Sequence, residues 1–207
     1  MSAIGIINAA LGRNTWPPPA VSRRWEEIEL FAALRDSDDE RLRQEASVSW
    51  NAPYVLNPLA RLISRASANL LFGEPPTFKP GADADAEALE ALVTANDLDS
   101  ELIRAAMISS SEGEVWGRIL VQPGLLDWPI IEWTSGANVI PHFHGRFITG
   151  ATFVSQWKTG TREVHRLLEH YEAGRNWCQL FRGTTTSIGH EIPLENFEPT
   201  ETLHPET

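Results

Sequence analysis

At Gly113 the sequence changes period, and this change constrains the fold more than any other feature. Before it, apolar residues recur three and four apart, the spacing of one helix face. From Glu114 onward they alternate, and β-branched and aromatic residues take over. A chain written this way builds helices first and a sheet second. The expected class is therefore α+β, with N-terminal helices followed by a mainly antiparallel mixed sheet. Strands are expected over Glu114–Val121, Trp128–Trp133, Phe147–Trp157, Thr161–Tyr171 and Asn176–Arg182. Pro123-Gly124, Ser135-Gly136, Lys158-Thr-Gly160 and Ala173-Gly174 punctuate them. Leu167-Leu168-Glu169 also suits a helix, but the Ala-Gly turn after it and the strand beyond favour a hairpin.

The helical half is best defined at Asn57–Pro76. Asn57 is a preferred N-cap, Pro58 fits the first helical position, Gly73 supplies a left-handed stop, and Pro75-Pro76 forbids continuation. Leu59, Leu62, Ile63, Ala66 and Leu70 form one apolar stripe, with Arg61, Ser64 and Arg65 off it, so the helix needs a partner surface. A second helix is expected over Asp83–Val93, ending at Asn96-Asp97. A third, capped by Asp99 or Ser100, carries Leu102, Ile103, Ala106, Met107 and Ser110 up to Gly113, making a helical hairpin. Upstream, Trp25–Arg35 reads as a helix with Trp25, Ile28, Leu30, Phe31 and Leu34 available for burial, and Asp36–Glu40 as a loop or cap. Trp16-Pro-Pro-Pro19 belongs to an extended arm in which Trp16 is an anchor on a neighbour or an exposed aromatic. The regions expected are an arm and helix over 1–48, helices over 49–113, a β-rich region over 114–194 and a tail or truncated linker over 195–207.

At 207 residues and 42% hydrophobic, the chain can bury a sizeable core. No stretch approaches the ~20 apolar residues that span a bilayer, and Met1–Leu11 lacks a secretory pattern, so no membrane role and a cytosolic origin are expected. The single cysteine, Cys178, rules out an intrachain disulfide and reads as a small buried hydrophobe. A net charge of −11 argues against gripping nucleic acid. Arg13, Arg23, Arg24, Arg35, Arg41 and Arg43 are diluted by neighbouring acids and read as a solvated helix face. Trp116, Trp128, Trp133 and Trp157 sit among apolar neighbours and read as core or interface rather than as a base-stacking platform.

Chemistry-bearing patterns are few. His142 and His144 have the spacing to share a strand face, as some metal sites begin, with His165, Glu169 or His170 as possible third ligands; surface or hydrogen-bonded histidines are the plainer reading. Ser109-Ser-Ser-Glu112 and Thr184-Thr-Thr-Ser187 lack a nucleophile elbow or an adjacent base, and read as a helix end and a loop. No phosphate-binding glycine signature occurs. No catalytic residue, no cofactor and no metal are therefore assigned, and no enzyme is expected. Two alternatives are a small metal-dependent hydrolase using His142 and His144, and a monomeric adaptor binding through the Trp16 arm.

The order of several short motifs carries a further signal. Tyr54 and Asn57, the turn Phe72–Pro76, the helical region Asp83–Ser111, the run Glu112-Gly-Glu-Val-Trp-Gly-Arg-Ile119, Asn138-Val-Ile-Pro141 and Gly189-His-Glu-Ile-Pro-Leu194 follow one another. In this order they resemble the portal, or head-to-tail connector, proteins of tailed bacteriophages, over roughly Ser49–Leu194. The resemblance implies a non-catalytic structural subunit with a wing-like fold, a homo-oligomeric and dodecameric ring at one capsid vertex, and a conduit for viral DNA packaging and ejection. The implied partners are copies of itself, the terminase large subunit, the major capsid or scaffold protein, a head-tail adaptor, and double-stranded DNA passing without sequence-specific binding. The implied location is the virion, and the host cytoplasm during assembly. The family's stem, clip and crown have no counterpart after Leu194, so the chain is expected to correspond to the N-terminal, wing part.

Overall fold

The computed structural model describes residues 13–46, 57–81, 85–121, 128–201 and 203. The expectations for Met1–Leu11, Tyr54, Asp83 and the Pro123-Gly124 turn lie outside them. By internal packing the chain divides into two compact units, Glu27–Gly136 and Met1–Glu26 together with Ala137–Thr207. Helices do precede strands, and every strand pairing is antiparallel, which establishes the α+β class.

Helix α1 (Ser22–Asp36) starts in one unit and continues in the other. Its Trp25, Ile28 and Ala33 are buried, whereas Phe31 and Leu34 are exposed. The acidic cluster after it caps a short helix, α2 (Asp39–Glu45), in which the Asp38 side chain accepts from Arg41 N–H.

The helical unit is centred on α3 (Leu59–Phe72), α4 (Ala86–Ala95) and α5 (Leu98–Glu112). Three details of its chemistry differ from expectation. Pro58 itself holds the cap position of α3 without a side-chain bond, and Gly73 ends the helix in right-handed geometry (φ −66°). The two prolines beyond are enough to stop it. Asp85 caps α4 by accepting from Glu87 and Ala88 N–H. Asp97, in left-handed geometry, occupies the cap position of α5, so Asp99 and Ser100 fall inside its first turn. Gly113, at φ 80°, closes α5 as the period change requires. The principal helix pair is α3 on α5, more extensive than the expected α4–α5 hairpin.

Strands β1 (Trp116–Leu120) and β2 (Ile130–Thr134) form a separate two-stranded ribbon in this unit. Gly117 pairs with Trp133, and a Cβ there would lie 2.7 Å from the Trp133 ring, so the glycine makes room for the indole. Asn96 fastens α4 to β2: its amide donates to Pro129 O at 2.9 Å, and its carbonyl oxygen accepts from Ile131 N at 2.8 Å.

The second unit is a five-stranded antiparallel meander: β3 (Val139–His144), β4 (Phe147–Lys158), β5 (Val164–Glu172), β6 (Arg175–Thr184) and β7 (Ser187–Ile192). Asn138-Val-Ile-Pro141 thus enters an edge strand that alternation did not announce, because Pro141 interrupts the pattern; prolines are tolerated at sheet edges. Thr184 ends β6 and Ser187 begins β7, so the hydroxyl run read as a loop spans a tight hairpin. One apolar core joins Ile140, Val154, Leu168, Phe181 and Ile188 of the sheet to Trp16, Val21 and Trp25. Trp16 is therefore an anchor within its own unit, 5.6 Å from the Trp25 ring and under the Arg166 guanidinium. The segment expected as a loose tail is packed through Thr200: Phe197 stacks on His165 at 4.3 Å and meets Trp157 edge-on, and the Thr200 hydroxyl donates to Leu194 O.

Candidate functional site

Helix α3 is amphipathic, but the side it buries is the opposite of the one the stripe suggests. Ser64 and Ala68 are buried, Ala68 completely, while Leu59, Leu62, Ile63 and Ala66 are exposed and Leu70 is 88% exposed. Small residues let two helix backbones approach closely, and α5 answers with buried Ala105 and Ala106. The leucine face is left in water, where each half-exposed aliphatic side chain forgoes on the order of 1 kcal/mol of burial. Arg61, Arg65 and Leu71 are exposed as well but lie off the leucine stripe. At its C-terminal end lies a cavity of about 340 Å³, lined by Leu71 and Phe72 of α3, by residues of α5 including Leu102 and Ala106, and by Val115 and Trp133. The Trp133 indole N–H is buried with no partner among the described residues.

Behind this face the helical unit is braced by a buried carboxylate. Glu112 accepts from Arg35 at 2.5 Å through one oxygen and from Ser135 through the other, while Arg35 also binds Asp36 at 2.9 Å. Asp36 and burial act oppositely on Arg35; the hydrogen bond to Asp36 dominates and raises its pKa. Glu112 is thus a structural ion-pair partner, and Ser111 donates to helix carbonyls, as expected for a helix end. Other arginines of the N-terminal cluster are also spent locally. Arg24 donates to Val139 O, Arg41 pairs with Glu45 and Arg43 with Asp39.

In the sheet unit the histidines differ in burial and in the face they occupy. His142 is buried and His144 exposed, so the His-x-His pair is split. His165 pairs across the sheet with Trp157, on the face covered by Phe197. His170 lies five residues on, an odd step that sends it to the other face. There it meets His142 through one hydroxyl: Thr152 Oγ1 is 2.8 Å from His142 Nε2 and 2.8 Å from His170 Nδ1. Glu169 falls on the His165 side by the same parity. Among the described residues no group of three His, Cys, Asp or Glu side chains is arranged to hold a metal ion. The buried His142–Thr152–His170 arrangement was not foreseen, because it depends on the register of two hairpins.

Arg166 is the other buried charge. It is 1% exposed and donates to Gln156 Oε1, Ser187 O and Thr184 O, bracing the β6–β7 turn from beneath. Burial lowers its pKa to about 10, so it remains a cation at neutral pH. An open groove of about 720 Å³ runs along Cys178, Leu180, Ile192 and Leu203, bordered by Glu191, Glu195 and Glu201. Cys178 is half-buried. Trp116, Trp133 and Trp157 are half-buried and Trp128 is exposed, so among the described residues the most deeply buried tryptophans are Trp16 and Trp25.

A candidate surface for a partner is the exposed leucine face of α3. Comparison with protein-family models finds no match, and no curated protein matches the chain.

Proposed function

We propose that this chain is a structural subunit of a phage portal ring, a non-catalytic part of the conduit through which viral DNA is packaged and ejected. The observation that carries the reading is the exposed leucine face of α3. A helix with a complete apolar stripe that buries its small-residue side instead is built for two contacts, one within the chain and one with a neighbour. A closed ring of more than two copies needs a heterologous interface, in which each subunit offers one surface and receives another. The ordered motifs support the same reading. The helix leading into Pro75-Pro76, the helical region, the Gly117 strand accommodating Trp133 and the antiparallel sheet ending near Leu194 follow in the portal order. The net charge of −11 suits a protein past which DNA slides rather than sticks. The partners implied are neighbouring copies, the terminase large subunit, capsid or scaffold protein, and a head-tail adaptor.

Native mass spectrometry of the purified chain, together with intact-mass analysis of purified phage particles, tests this. A closed ring in solution, or the chain or a longer parent of it in the particles at one vertex, is the expected result. A monomer at every concentration together with absence from the particles would overturn it.

A further inference from the structure

The polar line inside the sheet offers an inference independent of ring formation. On one face of the meander, Glu172, His142, Thr152 and His170 succeed one another across β3, β4 and β5. Their spacings are 3.3 Å from Glu172 Oε1 to His142 Nδ1, then 2.8 Å on each side of the Thr152 hydroxyl. Thr152 is fully buried, and both histidines are 2% exposed. His170 is further clamped by stacking on Trp177 at 4.5 Å. Gly150 pairs opposite His142, and a Cβ there would come within 3.0 Å of Nδ1, so the backbone itself leaves space for the ring.

The hydrogen count limits what this line can carry. Thr152 has a single hydroxyl hydrogen, so it donates to one ring and accepts from the other. Two neutral rings satisfy it. One added proton can rest on His142, whose two N–H groups then point to Thr152 and Glu172. A second cation on His170 would put two positive rings on one hydroxyl oxygen and leave the Thr152 hydrogen without an acceptor there. His142 Nδ1 and His170 Nε2 make no close hydrogen bond among the described residues; Glu172 stands 3.3 Å from the first, and Gln179 lies beside His170.

We propose that the Glu172–His142–Thr152–His170 line is an acid-operated latch that pins edge strand β3 to β5 across β4 and releases the β3–β4 hairpin when it is protonated. What it releases is specific: that hairpin carries the exposed Phe143, Phe147 and Ile148 near its tip. Glu172 on β5 is the carboxylate facing the rings. The cations on neighbouring elements are Arg175, lying over the Trp177 ring, Arg166 further along β5, and Arg24 of α1 at Val139 O. None of these cations favours a charged histidine.

Burial lowers the pKa of His142, only partly offset by Glu172, and lowers that of His170 to about 4, with His142 adding to the effect. His170 therefore stays neutral when closed and takes a proton near pH 6.5 when opened, and His142 takes its proton more readily when opened than when closed. The closed form loses stability as pH falls through 6.5, and the loss levels off for His170 near pH 4. The opening equilibrium shifts by up to about tenfold per pH unit for each ring.

Hydrogen exchange on the full chain, expressed as protection factors so that the intrinsic pH dependence cancels, provides the test. Between pH 6.5 and 4.5, protection over 139–158 is expected to fall by at least tenfold more than over 175–192. Thr152→Val is expected to open the hairpin already at neutral pH, and Thr152→Ser to restore the closed state and its pH dependence. If Thr152→Val does not fold, ring ¹⁵N shifts of the unaltered chain decide: His170 is expected to stay neutral at pH 6. A uniform loss of protection across the sheet, or His170 titrating near 6.5 in the folded chain, overturns the latch.

Discussion

Helix α3 and the five-stranded sheet solve opposite problems with similar sequence. Both carry strong apolar periodicity. In the sheet, one face is closed by Trp16, Val21 and Trp25, and the other receives Phe197, so Leu168 and Ile140 vanish from solvent. In α3 the stripe stays wet, and the helix is held by Ser64 and Ala68. Periodicity reports that a face must be covered; it does not say whether the cover comes from the same chain.

Three substitutions sharpen that contrast. The largest effect is expected in the sheet. Leu168→Ala removes a fully buried side chain from the core and should cost about 2–5 kcal/mol, read by urea unfolding, with no specific change in self-association. Next is Ala68→Leu, which forces a large side chain between α3 and α5. It should cost roughly 1–3 kcal/mol, and a loss nearer zero would mean that the helices do not pack as closely as the burial of Ala68 implies. The smallest effect on stability is expected at the stripe itself: Leu70→Ser should change unfolding by no more than about 0.5 kcal/mol. Sedimentation is its decisive readout, because the same change should weaken assembly. If Leu70→Ser destabilises the chain as Leu168→Ala does, the stripe is core and the contrast collapses.

Much of the fold was legible because local signals agreed. The period change at Gly113 coincides with the end of α5, and Lys158-Thr-Gly160 and Ala173-Gly174 do separate strands. Strand β3 was missed because Pro141 breaks alternation in a place where only the edge position of the strand makes it harmless. The buried side of α3 was illegible for a different reason: Ser64 and Ala68 have almost no hydrophobic signal, and their role is to be small. The sequence did raise the surface or hydrogen-bonded alternative for His142, and hydrogen bonding is what the structure gives it. Its partner His170 was seen only as a possible metal ligand, since Thr152 joins the two rings through pairings that span 28 residues of chain.

Pro141 and Gly189 have a consequence for how copies of this protein can meet. A sheet grows by offering unpaired N–H and C=O groups at its margins, and uncontrolled growth in that direction leads to fibres. One margin of the meander carries a residue with no N–H to offer. At the other, Gly189 sits at φ 81°, and a Cβ would lie 1.9 Å from Arg182 O, so the strand is bent there by a residue that cannot be exchanged. Both margins resist templating, which guards the sheet against open-ended strand stacking.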